Sequence, residues 1–212
     1  MRHTHPPRSR THTSAHVTYF NAVLAIMFAA LVGCAPAEKG LEDNSAANDQ
    51  GYVSGTGVIT QIPEAERAGA VELSGETTDG LSFDLAEWQG SPVVLNLWYA
   101  ACPPCREEAP DLQDAYMAFK DEGVRFLGIN VRDEAAAANA FARQFGITYP
   151  SMLDKEGKAV AALSGLLPPQ AVPSTVVLDS TGAPAARVVG IVDRSTLNAL
   201  ITDVLDEESS TP

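Results

Sequence analysis

The sequence predicts an α/β fold in which a central mixed sheet is flanked by helices. Apolar runs of strand length alternate with segments of helical periodicity from about Val71 to Asp206, an order that is typical of parallel strand pairing. A hairpin precedes the first of these βα units, and a second hairpin followed by a helix ends the region. The length of the region suits a single domain.

The first half of this domain holds a hairpin, a central strand and a long helix. The segments Val71–Leu73 and Leu81–Leu85 flank a glycine-bounded turn and predict the hairpin. The continuous apolar run Val93–Trp98 predicts a strand that is buried on both faces. Apolar residues at helical spacing then predict a helix over Pro103–Asp121.

The second half repeats the alternation and closes with the second hairpin. Val124–Val131 predicts another buried strand, and Asp133 is the expected N-cap of a helix over Ala135–Phe145 that Gly146 ends. The remaining predicted elements are a strand at Tyr149–Leu153, a helix at Lys158–Leu163, strands at Pro173–Leu178 and Ala185–Val189 joined by a turn, and a helix at Ser195–Leu205 capped by Asp193.

Two cysteines lie where the central strand meets the first long helix. Cys102 and Cys105 are separated by two prolines, and Cys102 is expected at the helix N-terminus, where unpaired N–H groups favour an anion. A thiolate there has a lowered pKa and is the reactive form of cysteine, so the pair indicates thiol–disulfide exchange. A structural disulfide, half of a zinc site and two packed small hydrophobic residues are the alternatives.

The first 34 residues have the pattern of an export signal. A basic segment with Arg2, Arg8 and Arg10 precedes the hydrophobic stretch Ala22–Val32. Leu-Val-Gly-Cys at 31–34 resembles the lipobox of bacterial lipoproteins, and this resemblance implies that Cys34 is lipidated and becomes the new N-terminus. A plain signal peptide and a retained membrane anchor are the alternatives, although the apolar run is short for a membrane-spanning helix.

Removal of residues 1–33 changes what the mature chain can do. It leaves 11 basic and 27 acidic residues, a formal charge of −16, and removes all four histidines. Without histidine the chain cannot form a Ser–His or Cys–His catalytic pair, and we expect no metal and no cofactor other than the redox-active cysteines. An acidic chain without a basic patch also predicts no nucleic-acid partner, and it needs the lipid for membrane attachment.

The predicted organisation is therefore a signal peptide (1–33), a flexible tether (34–56), one domain (57–208) and a short tail (209–212). The tether region is small, polar and charged, so it cannot bury enough apolar surface to fold. Within the stretch before the domain core, Val58, Ile59 and Ile62 are apolar enough to pack on the edge of the domain.

The domain resembles the membrane-tethered TlpA/ResA-type thiol–disulfide oxidoreductases, which have a thioredoxin-like fold and belong to the AhpC/TSA–Redoxin superfamily. The matching motifs are Gly-Leu-Ser-Phe-Asp-Leu at 80–85, Gly-Ser-Pro-Val-Val-Leu-Asn-Leu-Trp at 90–98, Cys-Pro-Pro-Cys-Arg-Glu-Glu-Ala-Pro at 102–110 and Val-Pro-Ser-Thr at 172–175. The stretch 51–67 is also similar to the lead-in of actinobacterial lipoprotein members. The resemblance implies an extra N-terminal β-hairpin and a βα insertion.

The resemblance also implies roles for single residues. Cys102 matches the exposed nucleophile and Cys105 the resolving thiol, which together form the redox disulfide. Pro173 matches a cis-proline that faces this disulfide, and Trp98, Val172 and Pro173 are the implied substrate contacts. Most relatives carry tryptophan where this chain has Ala101, and the small residue is expected to open the surface around Cys102.

Two further positions concern the proton chemistry of the pair. Asn96 stands where many cytosolic thioredoxins have a buried aspartate, and an amide cannot transfer protons. Glu108 lies one helical turn after Cys105 and matches the acidic residue that tunes the thiols in the ResA type. The alternative for Glu108 is a solvated carboxylate that the helix dipole favours.

The sequence and the resemblance together predict a lipid-anchored, extracytoplasmic reductase of protein disulfides at the cell membrane. The precedent in the family is a CcdA-like membrane thiol carrier as electron donor and apocytochrome c as acceptor during cytochrome c maturation, with the enzyme acting as a monomer. Two proline residues remove N–H donors from the first helical turn, which favours a reducing couple. A general disulfide oxidase or exchange enzyme and a non-catalytic binding module are the alternatives.

Overall fold

The computed structural model describes residues 57–210. The predicted signal peptide and tether, including Cys34, lie outside the described residues. The strands are β1 (Val58–Gln61), β2 (Ser74–Glu76), β3 (Ser82–Asp84), β4 (Val93–Trp98), β5 (Arg125–Asn130), β6 (Ser151–Leu153), β7 (Ser174–Leu178) and β8 (Pro184–Val189). The helices are α1 (Pro103–Phe119), α2 (Ala135–Phe145), α3 (Lys158–Ala162) and α4 (Arg194–Ser210).

Six strands form a mixed sheet in the order β1-β8-β7-β4-β5-β6. Strands β4, β5 and β6 are parallel, while β4, β7, β8 and β1 are successively antiparallel. Strands β2 and β3 form a separate hairpin. The predicted α/β fold with a central mixed sheet is therefore confirmed.

Strand β4 carries the core on both of its faces. Val94 belongs to a cluster that includes apolar residues of α1 and α4, such as Leu112 and Ile201. The next residue, Leu95, belongs to a second cluster with the hairpin and Ala159 of α3. Since successive side chains of a strand point to opposite faces, the continuous apolar run of β4 is explained by burial between two layers.

The main differences from the predicted elements lie at the edges. Strand β1 was not predicted, and it pairs with β8 through Val58–Val189 at the sheet edge, where Val58 and Ile59 remain exposed. Helix α4 continues through Ser210, so it includes two residues of the predicted tail. Asp193 does cap this helix, since its carboxylate accepts a hydrogen bond from the Thr196 amide at 2.9 Å.

The prediction that Asp133 caps α2 is wrong. Glu134 occupies the N-cap position and makes no side-chain capping bond. The Asp133 carboxylate instead accepts hydrogen bonds from the Ala100 amide at 2.5 Å and from Asn130 Nδ2 at 2.8 Å. Asp133 therefore ties the end of β5 to the turn that follows β4.

Within residues 57–210, no helix is both long and apolar enough to cross a membrane.

Candidate active site

The cysteine pair lies at the end of the central strand and opens α1. Cys102 is the N-cap residue of α1, and its Sγ accepts a hydrogen bond from the Cys105 amide at 3.1 Å. The two cysteines are joined by a disulfide, which fits a redox-active pair. An N–H group directed at Cys102 Sγ stabilises the thiolate that forms when the disulfide is reduced.

The predicted exposure of Cys102 is wrong for this oxidised state. Cys102 is 1% exposed and Cys105 is 2% exposed, although Ala101 is exposed. The small side chain at Ala101 therefore does not open the surface as predicted. The disulfide packs instead into a third cluster that contains Trp98, Ala109 and Phe141.

Glu108 is a buried carboxyl, and the alternative of a solvated surface carboxylate is wrong. It is 1% exposed although it lies on the first turns of α1. Asn96 Nδ2 donates to Glu108 Oε1 at 2.8 Å, and the Val192 amide donates to Oε2 at 3.1 Å. Asn96 Nδ2 also approaches Thr175 Oγ1 at 3.2 Å. The carboxyl is thus held by β4 and by the loop before α4.

Burial raises the pKa of Glu108 to about 8. The two hydrogen bonds lower the pKa and the nearby Asp111 raises it, but the loss of solvation is the largest influence. The carboxyl therefore titrates close to the range of cysteine thiols.

Pro173, which precedes strand β7, has the predicted conformation. The Val172–Pro173 peptide bond is cis. Pro173 is buried and Val172 is partly buried, and Val172 packs against the cluster that contains the disulfide. That Val172 and Pro173 contact the substrate stays a prediction.

Trp98 is less suited to the predicted substrate contact. It is 5% exposed and packs on Phe141 with 4.3 Å between the ring centroids. It belongs to the apolar cluster around the disulfide. A buried ring in this position supports the disulfide and offers little surface to a protein substrate, so this part of the prediction is corrected.

Sequence reasoning missed several residues of the site. Thr175 and the Val192 amide complete the surroundings of Asn96 and Glu108. Arg106 and Arg132 lie over aromatic rings that pack near the disulfide. Thr175 lay within the Val-Pro-Ser-Thr motif and Arg106 directly followed Cys105, so a signal was present for these two, whereas the contacts of Val192 and Arg132 depend on the tertiary fold.

The site is suited to two-electron exchange between thiols and a disulfide. It combines a cysteine pair at a helix N-terminus, a buried carboxyl on the same helix and a cis-proline loop. Among residues 57–210, no group of three or more histidine, cysteine or acidic side chains is arranged to hold a metal ion. The fold and the site define a thioredoxin-like thiol–disulfide oxidoreductase domain.

Comparison with known proteins places the chain in a family. The AhpC/TSA family matches residues 65–183, more than half of the chain, and the chain belongs to this family. It is 32% identical over 118 residues to the thiol-disulfide oxidoreductase ResA of Halalkalibacterium halodurans, covering 55% of this chain and 65% of that protein. It is 28% identical over 131 residues to ResA of Bacillus subtilis, covering 62% and 69% of the two chains.

Solved structures agree with this assignment. A DsbF homologue from Corynebacterium diphtheriae is 37% identical with a TM-score of 0.65, and the match covers 74% of this chain and 99% of that one. A secreted thiol-disulfide isomerase from Corynebacterium glutamicum is 28% identical with a TM-score of 0.66, covering 75% and 98%. The chain spans about two thirds of the length of the curated relatives it matches.

These similarities confirm the class predicted from the sequence, a thioredoxin-like oxidoreductase domain of the ResA/TlpA type. The lipoprotein form, the membrane attachment and the role in cytochrome c maturation stay predictions.

Proposed function

We propose that the chain is an extracytoplasmic, membrane-tethered thiol–disulfide oxidoreductase that reduces protein disulfides, with apocytochrome c as the substrate during cytochrome c maturation. The observation that carries the proposal is the buried carboxyl of Glu108. It lies on the helix that Cys102 begins, and its pKa of about 8 lets it exchange a proton with thiols near neutral pH.

The first step is attack by the Cys102 thiolate on a sulfur of the substrate disulfide. A bond forms between Cys102 Sγ and that sulfur, while the substrate S–S bond breaks and its other sulfur leaves as a thiolate. The Cys105 amide, which donates to Cys102 Sγ in the oxidised state, favours the thiolate form of Cys102 before attack. The product is a mixed disulfide between the two proteins.

The second step releases the reduced substrate. Cys105 gives up its proton and attacks Cys102 Sγ, so the Cys102–Cys105 disulfide forms and the second substrate sulfur leaves as a thiolate. Glu108 in its ionised form takes the Cys105 proton and returns it to the leaving thiolate or to solvent. Over both steps, two electrons pass from the cysteine pair to the substrate.

The first turn of α1 favours the reducing direction. Pro103 and Pro104 carry no N–H group, so one backbone donor, the Cys105 amide, reaches Cys102 Sγ within the described residues. A thiolate with few donors is less stabilised, and its couple is therefore less oxidising. This favours reduction over the alternative of a general disulfide oxidase.

A reductase outside the cytoplasm needs a supply of electrons, because disulfide formation is the default there. The proposal assigns this supply to a CcdA-like membrane dithiol carrier, which becomes oxidised as it reduces the Cys102–Cys105 disulfide. Lipidation of Cys34 would keep the domain close to such a carrier. The Leu-Val-Gly-Cys sequence at 31–34 supports this part of the proposal.

A trapping experiment tests the exchange mechanism. The full-length protein is reduced, separated from the reductant and mixed with a peptide that carries an oxidised Cys-x-x-Cys-His sequence. Wild-type protein should release the peptide as a dithiol, whereas Cys105→Ala should accumulate a mixed disulfide through Cys102 that mass spectrometry detects. The matched Cys102→Ala variant should trap little, since it is Cys102 Sγ at the N-cap, and not Cys105 Sγ, that accepts the backbone hydrogen bond.

Equal trapping by both variants, or no peptide reduction by the wild type, would contradict the mechanism. Equilibration with glutathione separates the two directions. A reduction potential of about −270 mV, as in thioredoxin, supports a reductase. A reduction potential of about −120 mV supports an oxidase. A wild-type protein that exchanges no disulfide with either peptide or glutathione would instead favour the binding module.

A further inference from the structure

Two arginines lie over aromatic rings that pack near the redox disulfide. Arg132 Cζ lies 4.2 Å from the centroid of the Tyr99 ring, and Arg106 Cζ lies 5.0 Å from the centroid of the Phe145 ring. Both rings pack against the apolar cluster that contains the disulfide. The two guanidinium groups are therefore fixed to the rim of the site by aromatic side chains that belong to it.

Neither guanidinium is neutralised by an ion pair with an acidic side chain among residues 57–210. Within this range Arg132 makes no side-chain hydrogen bond, and Arg106 makes one, from Nη1 to the Ala100 carbonyl at 3.2 Å. A guanidinium has five N–H donors. Both arginines thus keep most of their donors for another molecule.

The other arginines of this acidic protein are not all paired, since Arg125, Arg143 and Arg187 also form no ion pair among residues 57–210. Arg67 and Arg194 are paired with carboxylates, in a chain with a net charge of −13. The acidic residues near the rim do not cancel the two guanidinium groups by contact. Asp133 directs its carboxylate to the Ala100 amide and Asn130, and Glu107 is an exposed neighbour on α1 that forms no ion pair among the described residues.

From this arrangement we infer that Arg106 and Arg132 select protein substrates in which acidic side chains flank the disulfide. The inference rests on the proposed function and specifies its substrate class. A guanidinium stacked on a ring keeps its planar N–H edge free, and this edge matches a carboxylate with two parallel hydrogen bonds. Carboxylates beside the substrate cysteine would hold the substrate at the turn that carries Cys102.

The local charge also acts before contact. An acidic substrate is repelled by the negative domain as a whole, and two positive groups beside the disulfide make this site the favourable place of approach. The preference should weaken as salt increases, because screening shortens the range of the interaction.

The experiment compares two disulfide peptides of one sequence, with glutamate residues flanking the cysteines in the first and glutamine residues in the second. Reduction by the pre-reduced full-length protein is followed at low salt. We expect the acidic peptide to have about a tenfold higher kcat/KM than the neutral peptide, with each arginine contributing about threefold, as expected for partly exposed ion pairs. The ratio of the two kcat/KM values should fall in about 0.5 M salt, because salt screens the charges.

The variants Arg106→Gln and Arg132→Gln should each lower the ratio, and the double variant should bring it to about one. Arg132→Glu should reverse the preference toward a peptide with flanking lysines. Arg125→Gln is the matched control. This arginine is exposed and lies over the Trp88 ring at 5.2 Å, but it begins β5, at the end of the sheet away from the disulfide, so the ratio should not change.

The outcomes separate the inference from the function on which it rests. Reduction of both peptides at equal rates by the wild type would overturn the inference and leave the reductase intact. Equal losses for both peptides in the arginine variants, with an unchanged ratio, would show that the arginines only support the fold and would also overturn it. Failure of the wild type to reduce either peptide would overturn both the inference and the proposed function.

Discussion

Replacement of Glu108 by glutamine should change how the stability of the protein depends on pH. The folded state holds the pKa of this carboxyl at about 8, compared with 4.5 for the same group in solvent. Below pH 4.5 the carboxyl is protonated in both the folded and the unfolded state, so it does not lower the free energy of unfolding. Between pH 4.5 and 8 the unfolded chain is ionised while the folded chain keeps its proton, so the wild-type protein loses stability as pH rises.

The magnitude follows from the pKa values. Each pKa unit corresponds to about 1.4 kcal/mol, so the free energy of unfolding should fall by roughly 5 kcal/mol from pH 4.5 to pH 8 and then level off. Glu108→Gln removes this loss. It also places an amide where two oxygens accept hydrogen bonds from Asn96 and Val192, which costs about 1 kcal/mol at every pH. The two stability curves should therefore cross between about pH 5 and pH 6.

Urea denaturation of the two oxidised proteins, at five pH values from about 4.5 to about 8.5, measures the difference between their stability curves. The disulfide must stay intact so that the cysteines do not titrate. Glu107→Gln is the matched control, because Glu107 is the preceding residue on the same helix and is exposed. Its curve should run parallel to the wild type. If the Glu108→Gln curve also ran parallel to the wild type over this range, the buried carboxyl would not hold its proton, and the reasoning would be wrong.

Three further predictions concern the thiols, the anchor and the fold. In the reduced protein, Glu108→Gln should shift the pH dependence of thiol alkylation by iodoacetamide, since the carboxyl and the thiols titrate together; superimposable curves would remove Glu108 from the proton chemistry. Cys34→Ala should abolish metabolic labelling with a fatty acid, and equal labelling of both proteins would defeat the lipoprotein prediction. Arg67→Met should lower the stability to thermal unfolding by about 3 kcal/mol, because the buried Asp179 carboxylate loses its cation at 3.0 Å, whereas the exposed pair of Arg194 should contribute less than about 1 kcal/mol in the same assay.

The sequence predicted the central part of the domain because burial on both faces leaves a clear pattern. The apolar run Val93–Trp98 is β4 with the predicted bounds, and α2 begins and ends at the predicted residues. Gly146 ends that helix in the left-handed conformation, with φ of 68°, which glycine adopts without strain. The disulfide pair and the cis peptide bond at Pro173, both of which the family resemblance implied, are present in the structure.

The parts that sequence reasoning missed depend on contacts between distant segments. Strand β1 has four residues with mostly exposed side chains, so its pattern is weak and only pairing with β8 defines it. The burial of Cys102 depends on Trp98 and Phe141. Helical spacing placed Glu108 near Cys105, but its environment is set by Asn96 and by the Val192 amide 84 residues later in the chain.

The hydrogen bonds of Glu108 connect the proton chemistry to the segment that faces the substrate. Asn96 Nδ2 contacts both Glu108 Oε1 and Thr175 Oγ1, and Thr175 lies two residues after the cis-proline. On the other side, the Val192 amide donates to the carboxyl, and the nearby Gly190 amide donates to the Pro173 carbonyl at 2.9 Å. Asn96 and Thr175 carry no titratable group, so the charge of this network changes only when Glu108 gains or loses its proton. An amide at Asn96 can turn its donor or its acceptor toward the carboxyl, which lets the network satisfy both states of Glu108 while Pro173 stays in place.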